Sequence, residues 1–167
     1  MSMEIRRLEP ADCDLLLEAY EWDADAPTWY RQATDVFGDQ TGAEFVNLLS
    51  SPAHALIGIF TPELTGVIIM HLIAKGCLEA HLMAQRGADP TAIVLAASQV
   101  RDELFGQGAR EVFVWVAERN RHVKEICRRI GFVPTGFEML KGSYRNRVII
   151  WQHMSIIDWP NMMRNAA

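Results

Sequence analysis

The sequence is poor in cysteine. Cys13, Cys77 and Cys127 stand far apart and form no C-x-x-C pair. An odd, dispersed set supplies neither a disulfide framework nor a cysteine zinc site, so a reducing compartment is expected and no metal. Long hydrophobic runs are missing too: the longest apolar stretch, 64–74, is far too short to cross a bilayer, and no apolar segment follows the opening Met-Ser-Met-Glu-Ile-Arg-Arg. The expected location is therefore the cytoplasm, with no membrane partner. Positive charge is in deficit, 16 Lys and Arg against 21 Asp and Glu for a net charge of −5. That balance removes any global attraction for nucleic acid, and a polyanion site has to be local. Repeats, low-complexity tracts and Pro/Gly/Ser linkers are also absent, so residues 1–167 read as one domain. Half of the residues are apolar, enough for one substantial core.

What is present has a clear order. Residues 4–8 suit a short strand, and Pro10 with Asp12 opens an acidic helix through Leu15, Leu16, Ala19 and Tyr20. From 21 to 38 acids mix with aromatics, with Pro27 starting a short second helix, and a third short helix covers 43–49 before Ser51-Pro52. Turn signals at Thr61-Pro62, Thr65-Gly66 and Lys75-Gly76 then separate an antiparallel meander of strands at 54–60, 67–74 and 77–84. Asp89 caps a helix that starts at Pro90, carries Ile93, Ala97, Val100 and Leu104 on one face, and ends at Gly106 or Gly108. Residues 112–117 are apolar on both faces of the pleat, which predicts an interior strand. Asn120 caps a further helix with Val123, Ile126, Cys127 and Ile130 at helical spacing, and Gly131 ends it in the left-handed conformation. A closing hairpin pairs 137–140 with 148–154 around the polar turn 141–147. The fold class is α/β, a mixed sheet with helices on both faces.

In that frame the string 120–132, NRHVKEICRRIGF, resembles the segment of GNAT proteins, acyl-CoA-dependent N-acyltransferases, in which an Asn after the fifth strand precedes a helix ending in Gly-Phe. Arg129 and the continuation Val133-Pro134-Thr135-Gly136 also resemble that family, and the element order agrees over nearly the whole chain. The resemblance implies a GNAT-type, mostly antiparallel sheet of about six or seven strands. It also implies acetyl-CoA as co-substrate, bound by the backbone of Leu82, Met83, Ala84, Gln85, Arg86, Gly87 and Ala88 and by Asn120. The sequence departs from the family at two points. The glycine-rich phosphate loop lacks its second glycine, and Asp89-Pro90 in its place adds a negative charge and removes a donor, which weakens pyrophosphate binding. The helix position where many relatives carry a proton-donating Tyr holds Cys127.

Acyl transfer to an amine needs a base, a donor for the developing oxyanion and an acid near the leaving sulfur. Glu79 and His81 alternate onto one face of the fourth strand. The resemblance makes Glu79 the first candidate base and His81 the second; a solvated strand face accounts for both equally well. Cys127 is the candidate acid, but its helical spacing puts it on the buried stripe, where Cys behaves as a small hydrophobe. Arg119, Arg121, Lys124, Arg128 and Arg129 suit the phosphates of CoA, or form a solvated helix face. Acids between 21 and 35 favour a cationic acceptor, or only keep that surface segment soluble. The expected activity is N-acetyl transfer to a small-molecule or peptide amine, with a homodimer as one option for an oligomeric state that the sequence leaves open. The alternative is a GNAT-fold binding or assembly module of phage type that has lost transfer.

Overall fold

The computed structural model of the chain describes residues 3–24, 41–144 and 147–158. Strand β1 (Glu4–Arg7) leads through a 3-10 turn, Pro10–Asp12, into helix α1 (Cys13–Ala24). A short helix α2 (Gly42–Phe45) runs on as 3-10 turns over Val46–Ser50. The meander β2 (His54–Phe60), β3 (Leu64–Ala74) and β4 (Cys77–Ala84) follows, then helix α3 (Pro90–Gly106), strand β5 (Glu111–Ala117), helix α4 (Arg121–Ile130), and the hairpin β6 (Val133–Tyr144) and β7 (Arg147–Ile157). The seven strands form one sheet in the order β1-β2-β3-β4-β5-β7-β6. Every neighbouring pair is antiparallel except β4 with β5. β5 is interior, as its valine-rich face predicts.

The pleat divides the core in two. Ile59, Ile68, Met70, Val112 and Val116 face one side of the sheet and bury Ile93, Ala96 and Val100 of α3 with Ile126 and Ile130 of α4. Leu56, Val67, Ile69 and Met83 face the other, against Leu16 and Ala19 of α1, Phe45 of α2 and Leu48 and Leu49 beyond it. Helices thus cover both faces. Among the described residues no helix is long and apolar enough to cross a membrane, and all three cysteines are free.

Local chemistry sets the ends of the elements. Thr41 and Glu44 make a reciprocal capping box at α2. Asn120 caps α4 by accepting the Val123 N–H at 3.1 Å, and Gly131 ends it at φ 110°. Two expectations need correction. Thr65-Gly66 is not a turn: β3 begins at Leu64, and Gly66 pairs with both Ile59 and Ala84. A Cβ there would stand 3.0 Å from Ile93 Cδ1, so the glycine serves close packing of α3 on the sheet. The closing hairpin is longer than 137–140 and 148–154, its ladder extending to Tyr144 and Arg147. The helix expected from Pro27 lies outside the described residues.

At the other end of the chain, Arg6 grips Asp12 with two hydrogen bonds of 2.9 and 2.8 Å, and Asp12 also accepts the Glu9 N–H at 2.8 Å. The Arg6 bond and the backbone donor hold the Asp12 carboxyl down at about 2, from an ordinary value of 3.8. A depressed carboxyl stabilises the fold above its unfolded value and loses that contribution as pH falls through its folded value. Comparing thermal melts of Asp12→Asn and wild type, we expect a Tm deficit that is full above about pH 4 and closes as pH falls toward 2. A deficit unchanged by pH would contradict this assignment.

Candidate active site

Strands β4 and β5 pair only at Cys77↔Glu111, Leu78↔Val112 and Glu79↔Phe113, and then part. Beyond that point the sheet opens along residues 80–84 on one side and 114–117 on the other. Alternate backbone groups on each facing edge therefore lack a strand partner. The opening leads into a cleft of about 990 Å³, at the upper end of the range of roughly 300–1,000 Å³ for small-molecule sites. Its walls come from β3, β4, the loop after it, α3, β5 and α4, together with Trp22 of α1.

All eight residues expected to bind a cofactor, Leu82, Met83, Ala84, Gln85, Arg86, Gly87, Ala88 and Asn120, line this cleft. Thr65 accepts the Gln85 N–H at 3.0 Å, and Gln85 accepts the Ala88 N–H at 3.0 Å, closing a tight turn. The amides of Arg86 and Gly87, at its tip, donate to no acceptor among the described residues. Gly87 has φ 89° and nothing within 4 Å of where its Cβ would stand, so the tip is open. Pro90 lines the cleft without filling it. The Asp89 carboxylate is turned to its own helix, accepting the Thr91 N–H at 2.9 Å. Asn120 is buried, its Oδ1 committed to the cap, while its Nδ2 donates to no acceptor among the described residues.

At the closed end of the opening, Glu79 and His81 share a face, as their spacing predicts. Glu79 Oε1 lies 3.7 Å from His81 Nε2, and Oε2 lies 4.0 Å from Nδ1 of His71, its cross-strand partner on β3. Side-chain exposure grades along this row, 1% for His81, 15% for Glu79 and 33% for His71. Of the pair, His81 lines the cleft. Cys127 also lines it, but burial pushes its thiol up to about 12.

The basic cluster goes elsewhere. Lys124 reaches Gln152 of β7 at 3.2 Å and Arg128 pairs with Glu125 at 3.7 Å. None of Arg119, Arg121, Lys124, Arg128 and Arg129 lines the cleft; the four on α4 are turned away by the helix phase that buries Ile126 and Ile130. The arginines that do line it are Arg86 and Arg101. Sequence reasoning missed Arg101 and also Trp115, which faces away from the valines of β5 and packs at 4.9 Å on His153 of β7. The alternation of Phe113 and Trp115 with three valines was the available signal. Thr135 Oγ1 holds His153 Nδ1 at 2.8 Å, Phe113 packs on its ring at 5.0 Å, and burial lowers its pKa.

Searches against protein-family models and against curated proteins find no match. Solved structures match closely in shape. An N-acetyltransferase from Staphylococcus aureus Mu50 superposes with a TM-score of 0.76 at 11% identity, over 94% of this chain and 99% of that one. A GNAT-family acetyltransferase from Streptococcus pneumoniae gives 0.74 at 18% identity, over 93% and 99%. The yncA protein of Salmonella typhimurium, solved with its cofactor acetyl-CoA, gives 0.74 at 15% identity, over 94% of both chains. At these identities the likeness establishes the fold, a mixed α/β arrangement around a mostly antiparallel seven-stranded sheet.

Proposed function

We propose that this chain, which has the GNAT fold, works as a single domain over 1–167 and transfers an acetyl group from acetyl-CoA to an amine acceptor within a ternary complex. The parting of β4 from β5 carries this reading. It creates a cleft with uncommitted donors at its mouth and, at its closed end, the His81 imidazole with the Glu79 carboxylate 3.7 Å behind it.

The residues present fit the co-substrate. The uncommitted N–H groups of Arg86 and Gly87, next to a helix N-terminus, suit a pyrophosphate, and the Arg86 guanidinium adds a charge-assisted contact. Asp89 and Pro90 lower that affinity without closing the site. The open edge of β4 over 80–84 and Asn120 Nδ2 offer hydrogen bonds to the amides of a pantetheine arm. When bound, acetyl-CoA supplies the activated acyl group. Glu79 accepts the proton that the amine loses as the C–N bond replaces the C–S bond, and His81 shares that charge across 3.7 Å. Cys127 belongs to the wall rather than the chemistry. A thiol held at about 12 cannot readily give its proton to a sulfur of ordinary acidity, near about 8.5.

The binding-module alternative draws its support from Asp89-Pro90 alone. Calorimetry separates the two readings. Acetyl-CoA is expected to bind at micromolar Kd, roughly 8 kcal/mol. Asn120→Ala is expected to weaken binding by about tenfold, the size of one net hydrogen bond, and to cost about 1 kcal/mol of stability through the lost cap. No heat at millimolar acetyl-CoA would overturn the transferase reading in favour of the module. The free cysteines support a cytoplasmic setting. Val133, Phe137 and Leu140, exposed on the edge strand β6, support a homodimer contact.

A further inference from the structure

The cleft runs on well past the phosphate loop. It follows α3 from Pro90 to Leu104, about 21 Å at 1.5 Å per residue, and α4 from Asn120 to Ile130. The inner part, between the C-terminal halves of these helices, is walled by Met70, Ala97, Val100, Leu104, Ile126 and Ile130. Two side chains there carry polar atoms. Arg101 is committed, donating to the Ile130 carbonyl and pairing with Asp102 at 2.6 Å, and Cys127 is an un-ionised thiol. The helix backbones satisfy themselves in this stretch.

A pantetheine arm carries amides that need partners, and burying them here would leave them without any. A hydrocarbon has no such need, and dry apolar cavities take up apolar ligands. Close packing would normally fill a space of this kind. Here Arg101 ties α3 to the last carbonyl of α4, just before left-handed Gly131 ends that helix, and fixes the two helices at their far ends.

We propose that this inner slot holds the hydrocarbon tail of the acyl group, so that the protein takes medium-chain acyl-CoA in preference to acetyl-CoA. The proposal rests on the transferase reading and leaves its chemistry unchanged. The acyl carbon exchanges its bond to sulfur for one to the acceptor nitrogen, the amine proton goes to Glu79, and CoA departs as the thiol after taking up a proton.

The test is a calorimetric series of acetyl-, butanoyl-, hexanoyl- and octanoyl-CoA on the full chain. Each methylene that enters the slot tightens binding by up to about fourfold, and a gain of at least about tenfold from acetyl to octanoyl is expected. In Val100→Phe, which fills the slot, the octanoyl-to-acetyl ratio should fall toward one. The wild-type series decides the matter alone if that variant does not fold. If acetyl-CoA binds and affinity is flat or declines with length, the slot proposal is overturned and the transferase reading stands. If no thioester binds, the transferase reading fails first and this proposal with it.

Discussion

Glu79→Gln is expected to lower kcat by about 10²- to 10⁴-fold, the usual worth of a positioned general base, with little change in acetyl-CoA affinity. The carboxamide keeps the size of the carboxylate and its place opposite His71 and beside His81, but it cannot accept the amine proton. Steady-state rates at saturating acceptor, with affinity measured on the same preparation, separate this from a binding defect. Because Glu79 does not line the cleft wall whereas His81 does, the competing outcome is also informative. Full activity in Glu79→Gln, with the loss appearing instead in His81→Asn, would move the base to His81.

The second large effect is on stability. Phe45 is completely buried beneath α1 and beside Tyr20, with ring centroids 5.4 Å apart. It anchors the layer in which Leu56, Ile69 and Met83 meet the helices. Phe45→Ala removes that aromatic surface and leaves a void in a layer fixed on three sides, which costs about 3–5 kcal/mol. For a chain of this size that corresponds to a fall in Tm on the order of 10 °C. Denaturant titration measures it directly. A cost below about 1 kcal/mol would mean that the α1 side is not a packed core.

How far the sequence could be read depended on whether its signals were local. Helix α4 was legible at both ends, since Asn120 and Gly131 are adjacent to the residues whose hydrogen bonds they complete. The interior place of β5 followed from valines at 112, 114 and 116 with Phe113 and Trp115 between them. β6 was under-read because Pro134, Gly136 and Gly142 are turn residues by composition. The strand absorbs them in register shifts between Pro134 and Glu138 and between Leu140 and Ser143, where a missing donor or side chain costs little. Glu79 and His81 were legible from a period of two. The cleft beside them was not, because it arises where two strands remote in sequence stop pairing. The density of the basic run was evident in the sequence, but the choice between a phosphate site and a solvated helix face was not, because its direction is fixed by the burial of Ile126 and Ile130.

The three-pair seam between β4 and β5 also has a mechanical meaning. On one side lies an antiparallel half-sheet of β1 to β4, packed on α1; on the other lies β5, β7 and β6. The two halves share few backbone hydrogen bonds, and what holds them elsewhere is α3 and α4 lying across the same face. Contiguous units joined this thinly open at free energies of their own, below that of the whole molecule. A ligand lying along both open edges would add the missing rungs, so loading the site also welds two folding units into one.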